Sequence, residues 1–247
     1  MEQFIKNLAR GAGKILRDGF RKEIQINHKA GHWDVVTQHD LASDKFIQDR
    51  IKKKFPGHGI LSEEGMDIKS KKNLWIIDPL DGTRNFSKGI PFFCTTLSFV
   101  KNGVLEFGVT YDPVHDEMYF AHRGHGASLN NKPIQVAQTP SIDHAFAGSW
   151  SESKPYVLKI ARMDAKHEVW HVNPGSGAIA LAYVACGRYD MEIGIGGGPW
   201  DYSGSALIAK EAGAKVTDLR GKPYHWKKPE AIAANPVLHR KVMSELK

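Results

Sequence analysis

The sequence predicts a chain of mixed α-helix and β-strand, and three observations carry that expectation. Phe4, Ile5, Leu8, Ala12, Ile15, Leu16 and Phe20 recur at the spacing of one helical face, which gives an amphipathic first helix. Leu74 to Ile77 is a run of apolar and β-branched residues, too short for a helix and closed by Pro79, as in a buried strand that ends at Asp78. Phe93 to Val100, Leu105 to Tyr111 and Glu117 to Ala121 alternate or run apolar between Asn102-Gly103 and Asp112-Pro113 turns, the pattern of an antiparallel meander.

Between these landmarks the chain reads in order. Lys29 to Asp40 is a loop followed by a short strand, and a helix with Phe46, Ile47, Ile51 and Phe55 on one face follows, with Asp40 in the place of its cap. His58 to Glu64 is a strand running out into two acids, and Lys69 to Asn73 is a polar loop. Gly124 to Asn131 is a turn-rich connection into a further strand around Ile134 to Val136. A small-residue strand, Ala145 to Ser149, opens the C-terminal half without a linker or a sharp shift in composition. Gly175-Ser176-Gly177-Ala178 starts a helix of small and apolar residues that runs to Cys186. Tyr189 to Ile195 is a strand, Gly196 to Pro199 a loop, and Trp200 to Ala212 a helix with Asp201 in its first turn, where the helix dipole favours an acid regardless of function. Ala231 to Ala234 is a last strand, and a short terminal helix carries Leu238, Val242 and Leu246.

A chain of 247 residues can bury a substantial core. No apolar run approaches a membrane span and the N-terminus lacks a signal-peptide layout, so a soluble, cytoplasmic protein is expected. Cys94 and Cys186 form no close-spaced pair and read as reduced, packed thiols. The formal charge of +7 attracts anions without choosing among phosphorylated substrates, nucleic acid and acidic partners. Its lysine clusters, Lys52 to Lys54, Lys69 to Lys72 and Lys227-Lys228, lack interleaved aromatics and read as solvated ends of loops and helices. His115, His122 and His125 invite a zinc reading that no cysteine or supporting ligand pattern backs. The glycines around 194–198 make no dinucleotide fingerprint, and phosphate-loop, zinc-protease and nucleophile-elbow patterns are missing.

The chemistry concentrates in Asp78-Pro79-Leu80-Asp81-Gly82-Thr83. Pro79 holds Asp78 extended, so Asp78 and Asp81 bracket a tight turn and the Leu80 carbonyl is presented between them. Gly82 lets the backbone approach a ligand, and Thr83 stands where a short helix starts. A bland Asp-rich turn with a helix-capping threonine would look the same in isolation.

Asp78 to Phe86 resembles the first signature of the inositol monophosphatase family, metal-dependent sugar phosphatases related to fructose-1,6-bisphosphatase. Ser62-Glu63-Glu64-Gly65 is similar to the family's upstream acidic pair, and Pro199 to Gly204 with Glu211 to Ala214 resembles its second signature. The resemblance spans nearly the whole chain. It implies one domain over residues 1–247 with an α/β layered-sandwich fold (αβαβα), built from an N-terminal α+β half of about 1–140 with a large antiparallel sheet and a C-terminal α/β half of about 141–247.

It also implies a Mg²⁺-dependent phosphatase for small phosphate monoesters, inositol monophosphate first among them, with two or three ions and lithium sensitivity. Metal ligands would be Glu63, Asp78, the Leu80 carbonyl, Asp81 and Asp201, with Asp78 bridging two ions and Lys29 near a third. Asp40 would hydrogen-bond Thr83, and the two would orient or deprotonate the attacking water, with Glu64 in support. Asp81, Gly82, Thr83, Gly175, Ser176, Gly177 and Asp201 would meet substrate, and the protein would be a homodimer.

One departure stands out. The family's substrate-gripping glutamate, counted seven residues before Asp201, falls at Gly194, while Glu192 lies two residues earlier on the same strand face. Fructose 1,6-bisphosphate and histidinol phosphate are therefore alternative substrates. A reading from another class is a protein that binds RNA or the transcription machinery, as some bacterial relatives do.

Overall fold

The Asp78 strand sits inside an eight-stranded sheet, and everything else is layered on that sheet. The computed structural model describes residues 1–22, 26–28 and 35–247, so the expected loop at Lys29 to Asp34 lies outside the described residues. The N-terminal elements are α1 (Glu2–Gly19), β1 (Ile26–His28), β2 (Val35–Thr37), α2 (Gln38–Lys54), β3 (Gly59–Ser62), β4 (Gly65–Asp67) and β5 (Asn73–Asp81). Then come α3 (Thr83–Ser87), β6 (Cys94–Lys101), β7 (Val104–Asp112), β8 (Glu117–His122), β9 (Ala127–Leu129) and β10 (Lys132–Pro133). The C-terminal half holds β11 (Phe146–Ser151), α4 (Lys154–His167), β12 (Trp170–Val172), α5 (Gly177–Ala185) and β13 (Met191–Ile195). It closes with α6 (Pro199–Glu211), β14 (Lys215–Thr217), β15 (Glu230–Ala234) and α7 (Pro236–Glu245).

The large sheet runs β10-β9-β8-β7-β6-β5-β3-β4 and is antiparallel except where β3 lies parallel to β5. A second, five-stranded sheet runs β12-β11-β13-β15-β14, with β11 parallel to both of its neighbours. α1 and α2 cover one face of the large sheet, α5 and α6 lie between the two sheets, and α4 and α7 cover the outer face of the small one. The order of layers is αβαβα, the expected sandwich.

Side-chain period explains the layering. Along β5, Trp75 and Ile77 face α1 and α2, where they meet Ile5, Leu8, Ile47 and Ile51, while Leu74 and Ile76 turn to the opposite face against Val100 and Trp226. Burying each Leu or Ile side chain of α1 contributes about 1.5–3 kcal/mol, which anchors the helix to the sheet.

The central helix α6 is buried from Tyr202 to Ala209, so it must be narrow and must satisfy its hydroxyls internally. Ser203 Oγ lies 2.8 Å from Ser98 Oγ, and Ser205 Oγ lies 2.7 Å from Thr110 Oγ1. Gly204 makes the close approach. A Cβ there would stand 2.5 Å from Thr96 Oγ1 and 3.0 Å from the Leu97 carbonyl, and a Cβ on Gly108 would stand 2.4 Å from the Gly204 carbonyl.

Some expectations are corrected. No strand forms at Ile134 to Val136; instead Ala127–Leu129 and Lys132–Pro133 make a small hairpin at the sheet edge. β5 continues through Pro79 to Asp81 rather than ending at Asp78. The cap of α2 is Thr37, and Asp40 sits three residues inside, its carboxylate accepting from the Thr37 N–H at 2.9 Å in a capping box. The sequence pattern does not predict β1, β4, α4, β12 or β14.

Gly204→Val is expected to destabilise the protein by about 1–3 kcal/mol through overpacking against β6 and β7, which outweighs the gain of up to ~1 kcal/mol from removing a helical glycine. A denaturant midpoint unchanged or raised in that variant would contradict the close packing of α6.

Candidate active site

A strand of period two would send Asp78 and Asp81, three residues apart, to opposite faces. The register shows why it does not. Asp78 pairs with Thr96 and Asp81 with Cys94, so Pro79 and Leu80 together oppose Thr95 alone. This two-against-one bulge turns both carboxylates to the same side. Pro79 suits the place because it has no N–H to lose, and the Leu80 N–H closes the turn on Asp78 Oδ1 at 3.0 Å.

Helix N-termini then fix the acids. Asp81 Oδ2 accepts from Ser176 Oγ at 2.6 Å and from the Ala178 N–H at 2.8 Å, at the start of α5. Asp201, in the first turn of α6, accepts from the Gly198 N–H at 2.5 Å. As a result Asp78, Asp81 and Asp201 each bring an oxygen within 4.8 Å of the others, and this is the one such group of three among the described residues. His115, His122 and His125 form no such group among those residues, in keeping with the lack of a supporting ligand pattern; His115 pairs with Asp112 at 2.7 Å.

The electrostatics are those of a site built for cations. Two carboxylates at ~4 Å repel by about 4 kcal/mol at an effective dielectric of ~20. Burial pushes Asp78 well above the usual carboxylate range, and the charges of Glu63, Asp81 and Asp201 push it further. Asp201 is raised by burial and then by Asp81. Burial likewise lifts Asp81, which its hydrogen bonds to Ser176 and Ala178 hold back to about 6. All donors here are oxygen and none is sulfur, which fits a hard divalent cation. Glu63 leaves β3 on the same side, its N–H bonded to the Ile77 carbonyl at 3.1 Å, and its charge is felt by Asp78 and Asp201.

Thr83 stands beside the cluster. Its hydroxyl lies 2.8 Å from the Leu80 carbonyl and 3.1 Å from Asp40 Oδ1, so one proton faces two acceptors. Asp40 is buried and lifted to about 6 by that burial, against the bonds from Thr37 and Thr83; Glu64 adds to the lift. Gly82, with φ of +90°, makes the left-handed turn from β5 into α3.

Glu63, Asp78, Leu80, Asp81, Gly82, Thr83 and Asp201 line one cavity of about 660 Å³ that also meets Gly175, Ser176 and Gly177; Asp40 and Glu64 are not part of its lining, and Asp40 reaches it through Thr83. Ser176 is committed to Asp81 and to the cap of α5. Sequence reasoning missed Asn85, which clamps the loop before α5 by donating to the Phe92 and Pro174 carbonyls at 2.7 and 2.8 Å. It also missed Trp150 and Glu152 at the mouth. At the place assigned to Gly194 the cavity offers Glu192, which is 1 % exposed and lifted by burial to about 8. Over Gly194 lies the Tyr202 ring, 2.6 Å from where a Cβ would be. Lys29 lies outside the described residues.

The family model for the inositol monophosphatase family matches residues 1–247. The chain is similar to the fructose-1,6-bisphosphatase/inositol-1-monophosphatase of Thermotoga maritima, 35% identical over 97% of this chain and 93% of that one. It is also similar to the Nus factor SuhB of Pasteurella multocida, 32% identical over 96% of this chain and 92% of that one. Among solved structures, the Thermotoga maritima IMPase superposes with a TM-score of 0.91 at 32% identity, covering 100% of this chain and 97% of its own.

Asp40, Asp78, Asp81 and Asp201 all bind protons more tightly folded than unfolded, so without a cation their contribution to stability falls as pH rises from about 4 through 6 and beyond. A divalent cation relieves that repulsion only where the acids are ionised. Saturating Mg²⁺ is expected to raise the melting temperature more at pH 8 than at pH 5; an equal shift at both would contradict the cluster.

Proposed function

Because the chain belongs to the inositol monophosphatase family of phosphoric monoester hydrolases, we propose that it is a Mg²⁺-dependent phosphatase of small phosphate monoesters, inositol monophosphate foremost. The convergence of Asp78, Asp81 and Asp201 at the bottom of one cavity is the observation that carries this reading.

Glu63, Asp78 and the Leu80 carbonyl would hold one ion, Asp78, Asp81 and Asp201 a second, and Glu63 a looser third. Bound there, Mg²⁺ supplies positive charge to the phosphate and the departing alkoxide and acidifies a water for in-line attack. The chain's own groups do the rest. Asp40 and the Thr83 hydroxyl orient the attacking water and take its proton, with Asp40 titrating near 6 and Glu64 in support. The Gly82 and Thr83 amides face the phosphate oxygens, Gly175 to Gly177 border the substrate, and Glu192 accepts a hydrogen bond from its alcohol half.

The two sheet halves act as one domain in this reading, supported by Asp78 and Asp81 coming from the large sheet and Asp201 from the helix between the sheets. Homodimerisation, a cytoplasmic setting and inhibition by lithium are carried by the family alone; no helix among the described residues is long and apolar enough to cross a membrane. Fructose 1,6-bisphosphate and histidinol phosphate stay in the substrate panel. The similarity to a Nus factor, with the net charge of +7, favours a second reading in which the surface binds RNA or the transcription machinery. RNA affinity that falls steeply with salt would support it.

Asp78→Asn is expected to lower Mg²⁺-dependent phosphate release from inositol 1-phosphate at least ~100-fold with circular dichroism unchanged. Turnover at the parent rate in that variant would refute the site.

A further inference from the structure

The cavity continues past the acid cluster along one face of the small sheet. Gly148 pairs with Glu192 and Trp150 with Gly194, so these four residues share a face by the two-residue period. Gly148 makes room for a carboxylate: a Cβ there would stand 2.1 Å from Glu192 Oε2. That oxygen is buried with no hydrogen-bond partner, on a residue that is 1 % exposed and lines the cavity. Native proteins rarely leave such a polar atom unmet, so it is a place kept for a polar group on the ligand. Glu152 stands at the mouth, its N–H bonded to the Ile195 carbonyl at 2.9 Å and its carboxylate 3.4 Å from the Gly197 N–H. Trp150, Trp200 and Tyr202 supply aromatic surface to the same cavity.

The charge balance is the reverse of the protein's. Against a net +7 for the chain, the one formal cation among the described lining residues is Arg84; beyond the metal-binding acids Glu152 adds negative charge at the mouth, and Glu192, lifted by burial to about 8, ionises once a positive group lies beside it. A second anionic group on the substrate would be repelled by Glu152 and would oppose ionisation of Glu192, whereas a protonated nitrogen would draw Glu192 into its carboxylate form and meet aromatic faces that attract cations. We propose that this half of the cavity selects phosphate monoesters whose alcohol half carries a protonated nitrogen and rejects those that carry a second anion. The inference rests on the phosphatase reading above and names the substrate class within it.

Three esters of one hexose skeleton test it, with inositol 1-phosphate as the common control: glucosamine 6-phosphate, glucose 6-phosphate and 6-phosphogluconate, bearing an ammonium, a neutral end and a carboxylate. The expected order of kcat/KM with Mg²⁺ is ammonium over neutral over carboxylate, with roughly tenfold between the first two. Glu192→Gln, and separately the exposed-site variant Glu152→Gln, should each bring the ammonium-to-neutral ratio toward one. Release from inositol 1-phosphate with no ammonium preference among the three esters overturns the inference alone. No Mg²⁺-dependent release from any of the four overturns the phosphatase reading and the inference with it.

Discussion

Three carboxylates with oxygens inside 4.8 Å of one another are the constraint on which the rest of this structure turns. Left to themselves, Asp78, Asp81 and Asp201 repel, and burial removes the water that would screen them. The fold holds them by aiming donors at the acids from outside the cluster. The α5 start gives Asp81 a hydroxyl and an amide, the Gly198 amide meets Asp201, and the β5 bulge supplies Asp78 with the Leu80 amide. Those donors meet Oδ2 of Asp81 and of Asp201 and Oδ1 of Asp78. Cations are the natural complement to what remains.

Position follows from packing. Asp201 reaches the cluster because α6 lies flat between two sheets, and α6 lies flat because Gly204 and Gly108 allow backbone contact while Ser203 and Ser205 find hydroxyl partners on β6 and β7. The bulge at Pro79 and Leu80 does the equivalent work on the strand side. Architecture and chemistry are thus joined at two small features, a missing side chain and an extra residue.

Much of this was legible in the residues, and the failures have physical causes. The apolar run of β5, the meander and the periodic face of α1 state their elements directly, because burial on one or two faces writes a period into the sequence. The hairpin of β9 and β10 is not written that way, since strands of two and three residues at a sheet edge bury little. α4 hid because Val157 and Leu158 are exposed and blur its face. Asp40 was misplaced as a cap because Thr37, three residues earlier, reciprocates with it and either residue type caps well. Gly194, where the count from Asp201 falls, carries no side chain, whereas Glu192, two residues earlier on β13, lines the cavity. Spacing along a chain measures position only while the backbone is regular.

The central claim is that the Asp78, Asp81 and Asp201 oxygens form a cation site that the chemistry uses. Anomalous diffraction from crystals grown with Mn²⁺ in place of Mg²⁺ tests it most directly. The account predicts a peak bounded by the carboxylates of Asp78, Asp81 and Asp201, with Glu63 at its edge. Crystals whose protein hydrolyses phosphate esters with Mn²⁺, yet whose anomalous signal is absent from that site, would contradict it.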